Sequence, residues 1–178
     1  THSGVIEALE KRLQATDEDI EHLGQVADVL GQVYGHLDGE VDWERWMVVY
    51  QAQSRAASDD QTKVDCLWRG AQIIREQGQD MELATSWYES LVEIDPLHAE
   101  ALTILDMYYS QQEDWDPLAR VLRLQLDFVE PIDERAAILY RLADVCEQIN
   151  DTEGTIAALS DALVTSPADA GIRTRLQA

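Results

Sequence analysis

The sequence predicts an all-α protein built from repeated helical hairpins, and three observations carry this prediction. The chain of 178 residues is rich in alanine, leucine, glutamate and glutamine, which favour helices, and has four prolines and nine glycines. Long β-branched runs of alternating polarity are absent, which argues against strands. Pro96, Pro131 and Pro167 follow one another at intervals of 35 and 36 residues. A period of about 34 residues with two helices per unit is typical of a solenoid.

The first two helices follow from apolar residues at helical spacing. One helix is expected over 5–14, with Val5, Ile6, Leu9 and Leu13 on one face. The segment 16–19 has a capping residue followed by acids, which favour a helix start. A second helix then runs from Ile20 to about His36, and Gly35 and Gly39 bracket its end. Its apolar face consists of Ile20, Leu23, Ala27, Leu30 and Tyr34.

The next three helices are separated by cap and stop signals. Asp42 opens a helix whose inward residues are Trp43, Trp46, Val49 and Tyr50. Ser58 and Gln61 have the spacing of a capping box before a helix that Gly78 ends. Asp80 is expected to cap the following helix, and Asp95 and Pro96 close that hairpin.

The remaining helices form two more hairpins and a short final helix. Glu130 and Pro131 separate the two hairpins, and residues 166–169 are expected to cap the last helix. The acids Asp95 and Asp116 also resemble helix caps. The inward residues of these helices are Leu102, Leu105, Tyr108 and Tyr109; Leu118, Val121, Leu122, Leu126 and Phe128; Ile138, Leu139, Leu142, Ala143 and Cys146; and Ile156, Leu159, Ala162 and Leu163.

The charge of the chain excludes two classes of partner and leaves one open. With 35 acids and 13 bases the net charge is −22, so the chain lacks the basic face that nucleic-acid binding needs. Anionic membranes should repel it, and no apolar run is long enough to span a bilayer. Residues 76–119 hold 11 acids and no lysine or arginine. Local capping and solubility explain most of this acidity, while a basic partner stays possible.

The two cysteines and five tryptophans are expected to serve the core. Cys66 and Cys146 belong to no metal or redox motif, and buried free thiols are the favoured interpretation. The tryptophans should pack between helices rather than form a ligand cage. The histidines have no metal-ligand spacing, and no catalytic motif is present. We therefore expect neither an enzyme nor a cofactor.

Several of these residues resemble the tetratricopeptide repeat family. Leu30-Gly31-Gln32-Val33-Tyr34 matches the family's first-helix pattern, and a second unit matches at Trp68, Ala84, Tyr88 and Pro96. Further matches are Leu102, Leu105 and Tyr109, followed by Leu139, Leu142, Ala143, Ala162 and Pro167. Trp46, Leu118 and Thr155 depart from the pattern at its small-residue position, as Arg75 and Cys146 do at its tyrosine. The sequence of residues 93–102 is also similar to segments of long bacterial proteins that are made of many such units.

The resemblance implies a single right-handed solenoid domain over 1–178, with units at roughly 20–57, 65–98, 99–135 and 136–169 and flanking helices. In the family, the first helices line a concave groove that binds an extended peptide or a helix. The groove positions implied here are Arg69, Ile73 and Glu76; Thr103, Met107 and Ser110; and Tyr140, Asp144 and Glu147. Only Arg69 could serve a clamp for a terminal carboxylate, which argues against that variant of the site.

The expected function is that of a protein–protein interaction scaffold. The alternative is a structural spacer in a long repeat array, without a ligand of its own. The ends of the sequence suggest a segment of a longer protein, and the absence of a visible targeting segment favours a cytoplasmic location.

Overall fold

The structure is a computed structural model that describes residues 2–15, 20–36, 42–167 and 170–177. Ten α-helices occur in the described ranges, and none of these residues forms a strand. The helices are α1 His2–Ala15, α2 Ile20–Gly35, α3 Trp43–Ala56, α4 Asp60–Ile73, α5 Met81–Ile94, α6 Ala99–Gln112, α7 Trp115–Leu126, α8 Ile132–Gln148, α9 Thr152–Thr165 and α10 Ala170–Gln177. A π-helical segment, Ile74–Gly78, extends α4. The predicted all-α fold is confirmed.

The helices belong to two compact units, Thr1–Asp95 and Pro96–Ala178. In the first unit each helix from α1 to α5 packs against the next, and in the second unit the same holds from α6 to α10. Neighbouring helices are therefore the main packing partners, as expected for successive hairpins. The boundary between the units lies at Asp95 and Pro96, where the sequence predicts the end of a hairpin.

The core of the first unit is organised by aromatic side chains. Tyr34 is buried and meets the ring of Trp46 edge-on, with ring centroids 5.4 Å apart. Trp46 in turn stacks on Tyr50 at 5.6 Å. The Tyr34 hydroxyl donates a hydrogen bond to Glu10, which joins α2 to α1. The sequence pattern of α2 thus places one aromatic residue at the junction of three helices, α1, α2 and α3.

Two glycines allow tryptophans to approach the backbone closely. A Cβ atom on Gly70 would lie 2.0 Å from the ring of Trp87, which is only 8% exposed. A Cβ on Gly78 would lie 3.0 Å from the ring of Trp43. The predicted helix end at Gly78 is confirmed, but the left-handed residue that follows is Gln79, with φ of 53°. These contacts support the expectation that the tryptophans pack between helices.

The second unit has an aliphatic core. Its buried side chains include Leu102, Leu105, Leu118, Leu122, Leu139, Cys146 and Leu159. The prediction that Ile156 lies in this core is wrong, because its side chain is 53% exposed. Ile156 has helical spacing with the core residues, but it lines an open concavity that it shares with Glu147 of α8 and Leu176 of α10.

Some helix caps agree with the sequence patterns and others are shifted. Asp80 caps α5 as predicted, accepting from the backbone N–H of Leu83 at 2.9 Å. The capping box at Ser58 is wrong, since Asp59 is the cap of α4 and accepts from the N–H of Thr62 at 2.8 Å.

Asp95 does cap a helix, but it is the C-cap of α5, and the N-cap of α6 is His98. The prediction that Asp116 is a cap is wrong, because Asp116 lies inside the first turn of α7 after the cap residue Asp114. The predicted caps at 16–19 and 168–169, the turn at Gly39 and the side chains of Val5 and Ile20 lie outside the described residues.

Candidate interaction surface

Six of the nine predicted groove residues lie on two helices of the second unit. Helix α6 carries Thr103, Met107 and Ser110, and α8 carries Tyr140, Asp144 and Glu147. We call the surface formed by these six residues the α6–α8 face. α6 and α8 are the first helices of two successive predicted hairpins.

An ion pair holds α6 and α8 together at this face. Asp106 accepts two hydrogen bonds from Arg141, at 2.9 Å from Nη1 to Oδ2 and 2.6 Å from Nη2 to Oδ1. Arg141 also donates to the Ser110 hydroxyl at 3.2 Å, and Gln125 donates to Asp106 at 3.3 Å. Two parallel bonds between a guanidinium and a carboxylate fix the relative orientation of both groups. The pair therefore sets the register of the two helices that carry the face.

The electrostatics of this pair favour its charged form. Burial of the Asp106 carboxyl opposes ionisation, but the hydrogen bonds and charge of Arg141, with help from Gln125 and Ser110, hold its pKa below its ordinary value. The hydrogen bond to Asp106 raises the pKa of Arg141 in return. Both groups are thus ionised at neutral pH, and the link between α6 and α8 depends on charge.

Met107 is the exposed apolar residue of the α6–α8 face. Its side chain is 59% exposed. In the sequence, Met107 directly follows Asp106, and the half-buried Tyr140 directly precedes Arg141, the partner of Asp106. Thr103, by contrast, donates its hydroxyl to the carbonyl of Ala99 within its own helix. Methionine adapts to irregular apolar surfaces, and exposed aromatic or sulfur-containing side chains are common anchors of binding.

Two predicted groove acids have partners within the protein. Arg175 on α10 lies 2.9 Å from the carboxylate of Asp144 and 2.6 Å from that of Glu147. These acids therefore fix α10 against α8 and present less negative charge to a partner than the sequence suggests.

Sequence reasoning missed Asp106, Arg141 and Arg175 as components of this surface. A signal was present, because Asp106 and Arg141 are 35 residues apart, which equals one repeat period. Opposite charges at equivalent positions of successive first helices are placed to meet when the hairpins stack.

The other three predicted groove residues belong to the first unit. Arg69 is exposed and Ile73 half-buried on α4, and Glu76 is exposed in the π-helical segment. Glu76 lies 3.4 Å from its neighbour Arg75, which also donates to Gln72 at 2.8 Å.

Arg69 lines a cleft of about 310 Å³ between α2, α3 and α4. We call it the α2–α4 cleft. Its other lining residues are Gly24, Asp28, Tyr50, Gln53, Ala56, Ala57, Thr62, Asp65 and Cys66. Among the predicted groove residues of this unit, Arg69 thus lies on a concave surface.

The described residues also bear on metal sites, membranes and thiols. Among them, no group of three or more histidine, cysteine or acidic side chains could hold a metal ion. No described helix is long and apolar enough to cross a bilayer. Both cysteines are buried and free, as predicted. Burial raises the pKa of each thiol, which lowers its nucleophilic reactivity.

In comparisons with known proteins, no family model and no curated protein matches this chain.

Proposed function

We propose that this protein is an interaction scaffold that binds a peptide or helix of a partner protein on its first helices. The observation that carries the proposal is the α6–α8 face, where Met107 is exposed and directly follows Asp106, whose ion pair with Arg141 joins two helices. A preformed helical surface with an apolar anchor can take an amphipathic helix or an extended segment without paying for its own ordering.

The proposal includes the resemblance to tetratricopeptide repeats and a right-handed arrangement of the hairpins. Sequential packing of neighbouring helices within each unit supports this class. It also includes a role without catalysis or a cofactor. In support, Asp80 serves as a helix cap and Asp106 pairs with Arg141 between two helices.

A structural spacer in a longer repeat array is the second candidate. The observation that favours it is on α9, where Ile156 and Val164 are 53% and 81% exposed and lie eight residues apart. This spacing puts both on one side of the helix. Apolar surface of this kind is what a stacked neighbouring helix covers in a repeat protein.

A pull-down from an extract of the cells in which the protein occurs separates the two candidates. Met107→Glu and Tyr140→Ala should each reduce capture of the partner, because the first buries a charge in the interface and the second removes an aromatic anchor. Val164→Glu is the matched control, since it places the same charge on an exposed apolar residue of α9. If capture survives both changes on the α6–α8 face, the scaffold proposal is wrong.

A further inference from the structure

The α2–α4 cleft has opposite charges at its rim and an aromatic ring among its lining. Asp28 on α2 and Asp65 on α4 are exposed carboxylates, and Arg69 on α4 is an exposed guanidinium. Tyr50 lines the cleft from α3, half-buried and supported by the stacked ring of Trp46. A volume of about 310 Å³ lies at the lower end of the range for ligand-binding pockets and suits one or two side chains.

The two carboxylates are held by amides rather than by cations. Gln53 donates to Oδ1 of Asp28 at 2.8 Å, and Gln61 donates to Oδ1 of Asp65 at 2.9 Å. A neutral amide orients a carboxylate but leaves its charge uncompensated. Each acid therefore keeps its negative charge and presents it to the cleft.

Arg69 lacks the ion pair that its position offers. Asp65 stands four residues before it on the same helix, which is the favourable order for an acid–base pair. Within the described part of the chain, however, no carboxylate lies within 4.0 Å of Arg69. The guanidinium acts instead on the cleft lining, where its charge opposes the rise in the pKa of Tyr50 that burial causes.

The three charged groups line the same cleft as the buried thiol of Cys66. Burial raises the pKa of Cys66, Arg69 opposes that rise, and the acids Asp65 and Asp28 add to it. All three charged groups thus act on one thiol in the lining. A cleft lined by both signs of charge, with no ion pair between them among the described residues, is complementary to a ligand with the opposite arrangement.

We propose that the α2–α4 cleft binds a pair of neighbouring opposite charges on the partner polypeptide, with a basic side chain between Asp28 and Asp65 and an acidic one on Arg69. This inference rests on the proposed scaffold function and specifies the partner's chemistry in the first unit. The aliphatic part of the basic side chain would lie against Tyr50, which adds apolar contact and a cation–π interaction.

Nuclear magnetic resonance titration of the isotope-labelled full chain with blocked dipeptides tests the proposal. The probes are acetyl-Arg-Glu-amide, acetyl-Arg-Ala-amide, acetyl-Ala-Glu-amide and the neutral acetyl-Gln-Gln-amide. We expect the Arg-Glu probe to shift the backbone amides of Gly24, Ala56 and Ala57 saturably at millimolar concentration. Loss of either charge from the probe should weaken binding about two- to fivefold, as for an exposed ion pair. The neutral probe should leave the chemical shifts of these amides unchanged.

Charge-specific variants assign each contact. Asp28→Asn combined with Asp65→Asn should weaken the two probes that contain arginine and spare Ala-Glu, because asparagine keeps the amide hydrogen bonds. Arg69→Gln should weaken Arg-Glu and Ala-Glu, each about two- to fivefold. Glu134→Gln, an exposed acid of α8 in the second unit, is the control for net charge and should change nothing.

Two outcomes would overturn the proposal. If Arg69→Gln strengthens binding of the Arg-Glu probe, Arg69 only repels the arginine of the probe, and the cleft selects a cation alone. If no probe shifts the cleft amides, the cleft does not recognise charge pairs. Either outcome leaves the α6–α8 face to be judged by the Met107 variants, so the two proposals can fail separately.

Discussion

The close contact between Gly70 and Trp87 predicts that the smallest possible side chain is harmful at position 70. In Gly70→Ala the new methyl group would lie 2.0, 2.5 and 2.9 Å from three atoms of the Trp87 ring. Real Cβ atoms essentially never lie closer than 3.0 Å to such a neighbour, and the Trp87 ring is buried. Overpacking of a core typically costs about 1–3 kcal/mol. Replacing glycine by alanine inside a helix stabilises the helix by about 1 kcal/mol. The difference is a net destabilisation of up to about 2 kcal/mol.

Gly31 provides a matched control for this change. It also lies inside a helix of the first unit, but a Cβ there would meet its nearest neighbour, a Val49 methyl group, at 3.6 Å. Gly31→Ala should therefore stabilise the protein by about 0.5–1 kcal/mol through helix propensity alone. Urea denaturation followed by far-ultraviolet circular dichroism measures both variants. The reasoning is refuted if Gly70→Ala and Gly31→Ala shift the urea midpoint in the same direction.

Three further predictions concern contacts between and within helices. Arg141→Gln should lower the free energy of unfolding by about 0.5–1 kcal/mol at neutral pH. The pKa of Asp106 lies below its ordinary value of 3.8 in the folded protein, so the ion pair stabilises the fold at pH values above 3.8. This cost should vanish as the pH falls below that value, in urea titrations repeated along a pH series. Asp59→Ala should lower the urea midpoint through loss of the α4 cap, while Ser58→Ala should not. Equal effects of the two changes would instead support the capping box predicted at Ser58. Tyr34→Phe should cost about 1 kcal/mol and speed amide exchange in α1, and unchanged exchange would contradict the role of its hydroxyl bond.

Much of the fold could be predicted because its signals are local. Helix ends follow from capping acids and prolines, as Asp80 and Pro131 show. Apolar spacing predicts which side of a helix is buried, and Leu30 and Tyr34 are buried accordingly. The error at Ile156 has a physical reason, because spacing describes one helix and cannot say whether a neighbour covers each turn of it.

The site could be predicted less well because it depends on pairs of helices. Gly70 would ordinarily weaken a helix, and only the position of the Trp87 ring explains its presence. The α2–α4 cleft likewise combines residues of three helices. The pair of Asp106 and Arg141 could have been predicted, because the two residues are one repeat period apart in the sequence. The sequence predicts Asp144 as a groove residue, whereas its pairing with Arg175 depends on where α10 packs.

The central claim is that a partner docks on the α6–α8 face, and site-specific photo-crosslinking tests it most directly. A photoreactive amino acid is placed singly at Met107, at Tyr140 or at the exposed control position Val164, and the protein is irradiated in its own cell extract. Binding on this face predicts the same crosslinked partner from the first two positions and not from the control. Crosslinks from Val164 alone would contradict the claim and favour the spacer, because the contact would then lie on α9.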